Sequence, residues 1–518
     1  MGEELRSTAA GLGLALSENE IGDYVTLLDR MEKSLQTVSE MHDYQPIPDQ
    51  GIYPRSDIHF PTAESNPLGA WAWKFNAKST APKTDLLTGK TVCLKDNIAV
   101  AGVPCLLGTD TFQDWIPNTD ATVVSRILDA GGTITGKAVC ENLSRGAVSA
   151  TAATGPVHNP YAFGYSAGGS SSGTAALVAS GATDMGIGCD QGGSIRIPAS
   201  LCGLYGFKPT VGLVPYTGIA SNDACLDFVG PMTTSCLDNA LLLEAIAGVD
   251  GLDDRQSAGA PFPRQVPRYA QLLTETKEDG IRGMRIGILK EGLDLPGINP
   301  QVEKKFQDAM NVFRQLGAVV EDVHVPIHSQ ARTIIVVLSK MGNHIGMQGK
   351  ATGRRQMMLT DLFEKKDLPY SPEVLAKMSV MCKEALITGE YAWKHYSTLY
   401  PKVVNLIRKL QDAYDKALER YDVLVMPTTI TESNPLPAHD ASPLEHMDAS
   451  KGKLENTSPF NASGHPALAV PIGLIPSREN QSIAMPVSMQ IVGRYWDELT
   501  ILKIAYAWEC AVGNWKEF

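Results

Sequence analysis

The chain has 518 residues, 43% of them hydrophobic and 20% charged, which is the balance of an ordinary soluble globular protein. Its net charge is −12 and its pI about 5.4. There is no dense Lys/Arg run and no aromatic-basic interleaving, which argues against nucleic acid or an anionic membrane as a direct partner.

The N-terminal residues, MGEELRSTAAGLGLALSENE, carry acids and only a short apolar run. They lack the basic start and long apolar centre of a secretory signal. Ser17 and Glu20 have capping-box spacing. Beyond them Ile21, Tyr24, Val25, Leu28, Met31, Leu35, Val38 and Met41 recur at helical intervals, so a helix with one apolar stripe is expected. That stripe has to pack on the main body or on a second copy of itself. Residues 44–70, rich in Pro, Asp and Ser, read as a connecting segment. Residues 1–75 are therefore expected to be a helical N-terminal extension.

From Leu87 onward short apolar runs alternate with helical stretches and Gly-rich turns. Thr91 to Leu94 reads as a strand ending at Lys95, Ala121 to Ala130 as a helix closed by Gly131 and Gly132, and Thr133 to Thr135 as the next strand. This alternation predicts an α/β fold with a largely parallel sheet. A composition break falls at 250–283. Met284 to Leu289 then reads as a strand, and Val302, Phe306, Met310, Phe313 and Leu316 mark one helix face stopped by Gly317. Val319 and Val320 begin another strand, residues 330–420 read as mostly helical, and Val423 to Pro427 as a buried strand returning to the main sheet. Asp497 and Glu498 open a C-terminal helix. The expected division is a large domain over 76–283 and 423–518, with a smaller inserted pocket domain over 284–422. No stretch approaches the roughly 18 apolar residues of a membrane span.

There are nine cysteines, an odd number with no CxxC pair, which fits reduced thiols in a reducing compartment, the cytoplasm by default. The ten histidines form no HxxxH or HExxH, so a zinc hydrolase has no support, and no GxSxG elbow appears.

The densest chemical signal runs from Gly168 to Pro198. It opens with Gly-Gly-Ser170-Ser171-Ser172-Gly and closes with Cys189-Asp190-Gln191-Gly192-Gly193-Ser194-Ile195-Arg196-Ile197-Pro198. A serine hydroxyl needs a base to act as a nucleophile, and the oxyanion it generates needs convergent N–H groups. A glycine pair directly before a serine lets the backbone come close to a ligand. Alone, either Gly-Ser run reads as a turn or a linker.

Taken together, the stretch Gly168 to Ala199 resembles the amidase-signature family without a gap. The resemblance extends to Lys95 in Val-Cys-Leu-Lys-Asp-Asn, to Asn461–Pro471 and to Pro486–Gly493, and so spans residues 85 to 518. It implies a central mixed, largely parallel sheet covered by helices. It implies Ser194 as nucleophile, Ser170 as bridging serine after a cis Gly169–Ser170 bond, and Lys95 as base. The oxyanion hole would come from the N–H groups of Gln191, Gly192, Gly193 and Ser194. A lysine that accepts a proton has to be neutral, and a buried strand end disfavours the charged form of a lysine. Asp190 and Arg196 flank the turn and are expected to pair and hold it, while Ser171 and Ser172 are expected to bond the loop backbone. Cys189 reads as a small buried hydrophobe, and His465 as a structural histidine before a pocket lining.

The run from Asp190 to Ala199, with Gly206 to Gly218 after it, looks like the amidases associated with nitrile breakdown. These resemblances imply hydrolysis of a carboxylic amide, a small-molecule substrate, a homodimer formed by the N-terminal extension, and no metal or organic cofactor. Carbamate or anilide hydrolysis, and a glutaminase subunit of an amidotransferase, remain as alternatives. A non-catalytic binding protein on this fold would be expected to lose Lys95, Ser170 or Ser194, and all three are present.

Overall fold

Twelve strands join one sheet in the computed structural model. The structure describes residues 1–112, 114–275, 280–350, 352–366 and 369–518. The first four strands are β1 (Arg55–His59), β2 (Trp71–Lys78), β3 (Thr91–Lys95) and β4 (Thr133–Ala138). A separate small hairpin follows as β5 (His158–Asn159) and β6 (Ala162–Ser166). The main sheet continues with β7 (Met185–Asp190), β8 (Tyr205–Lys208), β9 (Phe228–Thr233), β10 (Arg285–Leu289) and β11 (Val319–Val323). It ends with β12 (Val423–Pro427), β13 (Ala467–Pro476) and β14 (Ala484–Gly493). Their spatial order is β1-β2-β4-β3-β7-β9-β8-β13-β14-β12-β10-β11.

The sheet is mixed, and the expectation that it would be largely parallel is corrected. Only β3 with β4 and β7, and β10 with β11 and β12, run parallel. The other neighbouring pairs are antiparallel. Parallel neighbours need a long crossover, whereas β13 and β14 are joined by a short turn and can only run antiparallel.

Both faces of the sheet are covered. Val92 and Leu94 of β3 sit in one apolar cluster and Cys93 in another, as alternation along a strand requires. On the second face the helix Ser172–Ala179 lies against β7, and a Cβ on Gly186 would meet the Thr174 Cγ2 at 2.4 Å. Glycine at 186 is what lets that serine-headed helix approach the strand.

Residues Met1–Pro46 form one compact unit and Ile47–Phe518 another. In the first, the helices Gly2–Gly11 and Glu18–Ser39 contact one another, and Ser17 and Glu20 make the expected capping box. The expected boundary at residue 75 moves to 46. Residues 47–75 contain β1 and part of β2, whose Trp71 and Phe75 are buried as the sheet edge. The expected inserted domain over 284–422 is likewise corrected, since β10 and β11 extend the main sheet through β12. The mostly helical stretch is present as His328–Met347, Thr360–Lys365, Pro372–Lys377, Val380–Tyr396 and Leu399–Leu418; of it, residues 351 and 367–368 lie outside the described residues. All nine cysteines are free thiols. Among the described residues no helix is long and apolar enough to cross a membrane.

Candidate active site

Three chain segments converge at one edge of the sheet. β3 and β7 are parallel neighbours, so their C-terminal ends, Lys95 and Asp190, emerge together. The loop after β6 carries Ser170 into the N-terminus of the helix Ser172–Ala179, and the loop after β7 carries Ser194 into the helix Arg196–Cys202. Lys95 is buried, and its Nζ donates to the Ser170 Oγ at 2.7 Å and to the Cys189 carbonyl at 3.4 Å. The Gly169–Ser170 peptide bond is cis, as the family resemblance implied. Asp96, the next residue after Lys95, is held instead by Lys137 at 3.0 Å, both fully buried.

Ser171 ties the two loops together. Its N–H donates to the Ser194 carbonyl at 3.3 Å and its hydroxyl to the Cys189 carbonyl at 3.1 Å. Ser172 bonds the Val139 carbonyl. Ser194 is half-buried on the wall of a cavity of about 350 Å³ that Gln191 and Gly192 also line, together with Arg332 and Lys340 of the helix His328–Met347. Among the described residues, nothing hydrogen-bonds the Ser194 hydroxyl, which faces a cavity large enough for a small organic molecule.

The turn before Ser194 is fixed by a buried ion pair. Arg196 meets Asp190 through Nε and Nη2, each at 3.0 Å. Asp190 also accepts from the N–H groups of Gly193 at 2.6 Å and Ile195 at 3.1 Å, and from Asn461 at 2.8 Å. Burial opposes the charge on Asp190, but the guanidinium and these donors overcome it and hold the carboxyl at about 2. Arg196 further reaches the Thr457 carbonyl, Gln490 and Asn461.

This corrects one expected role. The Gly193 N–H is engaged by Asp190 and so leaves the set of oxyanion donors, because the carboxylate sits directly beneath the turn. The N–H groups of Gln191, Gly192 and Ser194 have no acceptor among the described residues. Gly193 instead shapes the turn. Its φ is +135°, and a Cβ there would lie 2.4 Å from the Thr457 Oγ1, which bonds the Gly192 carbonyl. Gly193→Ala is expected to cost about 1–3 kcal/mol of stability and to lower activity at least tenfold. At Gly192 the nearest atom is the Leu454 Cδ2 at 3.4 Å, so Gly192→Ala should be mild. Thermal melting beside activity assays compares them, and equal behaviour of the two variants would contradict the reading.

Cys189 is buried and burial pushes its thiol up to about 11, so it offers no thiolate at neutral pH. His465 does not line the cavity. It is buried between Ser463 and Asp415, each at 3.0 Å, and serves structure. Sequence reasoning missed the roles of Thr457, Asn461 and Gln490, which carry no local signal beyond lying in or near segments that resemble the family.

Comparison with known proteins decides the family. The profile of the Amidase family matches residues 63–502. This chain belongs to the amidase-signature family. It is 37% identical over 466 residues to an enantioselective amidase of Rhodococcus rhodochrous, covering 88% of this chain and 85% of that protein. It is 31% identical over 466 residues to a glutamyl-tRNA(Gln) amidotransferase subunit of Roseiflexus sp. (strain RS-1), covering 88% of this chain and 89% of that protein. Among solved structures it superposes on the peptide amidase of Stenotrophomonas maltophilia with a TM-score of 0.65 at 29% identity, covering 82% of each chain. As an amidase-family hydrolase, the chain acts on amides, and its mixed sheet covered by helices is the fold of these relatives.

Proposed function

We propose that this amidase converts a carboxylic amide to the acid and ammonia or an amine through an acyl-enzyme on Ser194, with Ser170 as relay and Lys95 as base. The observation that carries this reading is the buried 2.7 Å contact from the Lys95 Nζ to the Ser170 Oγ, beside a Ser194 that lines the cavity. The Ser194 oxygen attacks the amide carbon and passes its proton to Ser170, which passes its own to the Lys95 amine. The N–H groups of Gln191, Gly192 and Ser194 receive the oxyanion. As the C–N bond breaks, the proton returns through Ser170 to the leaving nitrogen. Water, deprotonated by the same relay, then cleaves the ester and frees the acid. Brief quenching with a slowly deacylating amide, followed by peptide mass spectrometry, is expected to find the acyl group on Ser194. Label on Ser170 or Cys189 would overturn the assignment.

The enantioselective amidase among the relatives supports an amide as substrate. Nine free thiols support a reducing, cytoplasmic setting. The N-terminal stripe supports a homodimer. Tyr24, Met31, Leu35, Val38 and Met41 are all exposed, and pairing such a face with its copy is the commonest way to cover it. Light scattering is expected to give a dimer that Leu35→Glu splits, and a monomeric wild type at micromolar concentration would sink the proposal.

A further inference from the structure

The cavity that holds Ser194 also carries a buried guanidinium with two nitrogens that find no acceptor among the described residues. Arg145 follows the short turn Asn142–Ser144 after β4, and its N–H is anchored to the Asn142 carbonyl at 3.1 Å. The residue is packed away to 8% exposure, yet neither its Nε nor its Nη2 meets an acceptor among the described residues. Buried guanidinium groups are ordinarily paired or hydrogen-bonded, because an unpaired buried charge destabilises the fold.

Three of the acids around Arg145 are already engaged. Asp227 is held by Arg255 at 3.2 Å, and Glu384 forms an ion pair with Lys340. Glu141 accepts the N–H groups of Val148, Ser149 and Thr151. Asp223, whose Oδ2 meets no donor among the described residues, makes no ion pair with Arg145 and lines a different cavity.

The other charges on the cavity wall do not supply a counter-ion either. Lys451 pairs with Asp448 at 2.6 Å, and the Glu455 carboxylate accepts the N–H groups of Gly452 and Leu454. Arg332 adds a second guanidinium to the same wall with no ion pair among the described residues. Between these charges the wall carries the apolar side chains of Ala147, Ile335, Val336, Met381 and Leu454, interspersed with hydroxyls such as those of Ser339 and Ser458. An acyl chain that is apolar along its length and anionic at its end matches this wall. A planar guanidinium fork suits a carboxylate in particular, because two parallel N–H donors meet its two oxygens.

We propose that Arg145 is the recognition residue for a carboxylate at the far end of the acyl group, so that the preferred substrates are monoamides of short dicarboxylic acids. This rests on Ser194 being the nucleophile that works in the same cavity. The carboxylate completes the fork of Arg145 while the amide end lies at Ser194.

The test is kcat/KM for succinamate, glutaramate and adipamate against their neutral partners butyramide, valeramide and hexanamide. The wild type is expected to favour at least one anionic amide over its partner tenfold or more. Arg145→Gln is expected to lower that ratio at least tenfold, and Arg145→Lys to restore part of it. Melting curves of both variants accompany the kinetics, and the ratio is read within each variant, so a general loss of folded enzyme cancels. A second arm does not depend on turnover. The matching dicarboxylate should bind the Ser194→Ala protein at least tenfold more tightly than the Ser194→Ala/Arg145→Gln protein by calorimetry. Preference for the neutral amide at every chain length, or an anionic-to-neutral ratio that Arg145→Gln leaves unchanged, would overturn the role of Arg145. Wild-type turnover by the Ser194→Ala protein would instead overturn the nucleophile, and the calorimetry would still decide for or against Arg145.

Discussion

Lys95→Ala is expected to lose amide hydrolysis at every pH, and Lys95→Arg is expected not to regain it. The geometry behind this is the single buried contact from the Lys95 Nζ to the Ser170 Oγ at 2.7 Å. If Ser170 hands its proton to Lys95, an alanine removes the acceptor, and an arginine stays protonated and cannot take its place. Removing a member of such a relay costs on the order of 10⁴- to 10⁶-fold in kcat, with the remainder supplied by binding and oxyanion donors. Ser194→Ala should fall in the same range, because no acyl-enzyme can form. Ser170→Ala should be severely impaired but retain a trace if water occupies the relay position. Steady-state assays of the three alanine variants and of Lys95→Arg across a pH series check this. A Lys95→Arg enzyme with rates close to wild type would remove Lys95 from the role of base.

The largest expected effect on stability is at Arg196. Arg196→Met leaves the Asp190 carboxylate buried with no cation, and breaking a buried pair from one side typically costs about 3–5 kcal/mol. The variant also loses the bonds to Thr457, Gln490 and Asn461, which connect the turn before Ser194 to two other segments. Activity should fall with stability, since Asp190 positions the Gly193 N–H and hence the loop. The acid limb of stability gives an independent reading. In the folded chain the Asp190 carboxyl sits at about 2, below the unfolded value near 4, so its contribution is complete above about pH 4 and is lost as pH falls through about 2. In Arg196→Met that particular acid-dependent loss should shrink. Urea unfolding at several pH values measures both effects. A destabilisation under about 1 kcal/mol would show that the pair does not hold the turn.

How much of this was legible in the sequence varies from residue to residue. The capping box at Ser17 and Glu20, the strand ending at Lys95 and the helix face from Val302 to Phe313 are local patterns, and each formed where it was expected. Lys95, Ser170 and Ser194 could be named in advance only through the resemblance of their segments to the amidase-signature family, since either Gly-Ser run alone reads as a turn. The pairing of Asp190 with Arg196 was readable for the same reason, being six residues apart.

The sequence by itself thus determined several helices and strands with clear local patterns, and, through the family resemblance, which side chains are candidates for the chemistry. Strand direction and domain limits were decided by tertiary structure. Residues 47–75 look like a linker in composition, yet β1 and β2 find partners in a sheet whose order no local pattern encodes. The bonds from Arg196 to Thr457, Gln490 and Asn461 span 261, 294 and 265 residues. The capture of the Gly193 N–H by Asp190, and the lack of a partner among the described residues for the Arg145 Nε and Nη2, were fixed in the same way. Local preference selects the conformation of a few neighbouring residues, whereas the partner of a buried polar group depends on which distant segments close around it and exclude water.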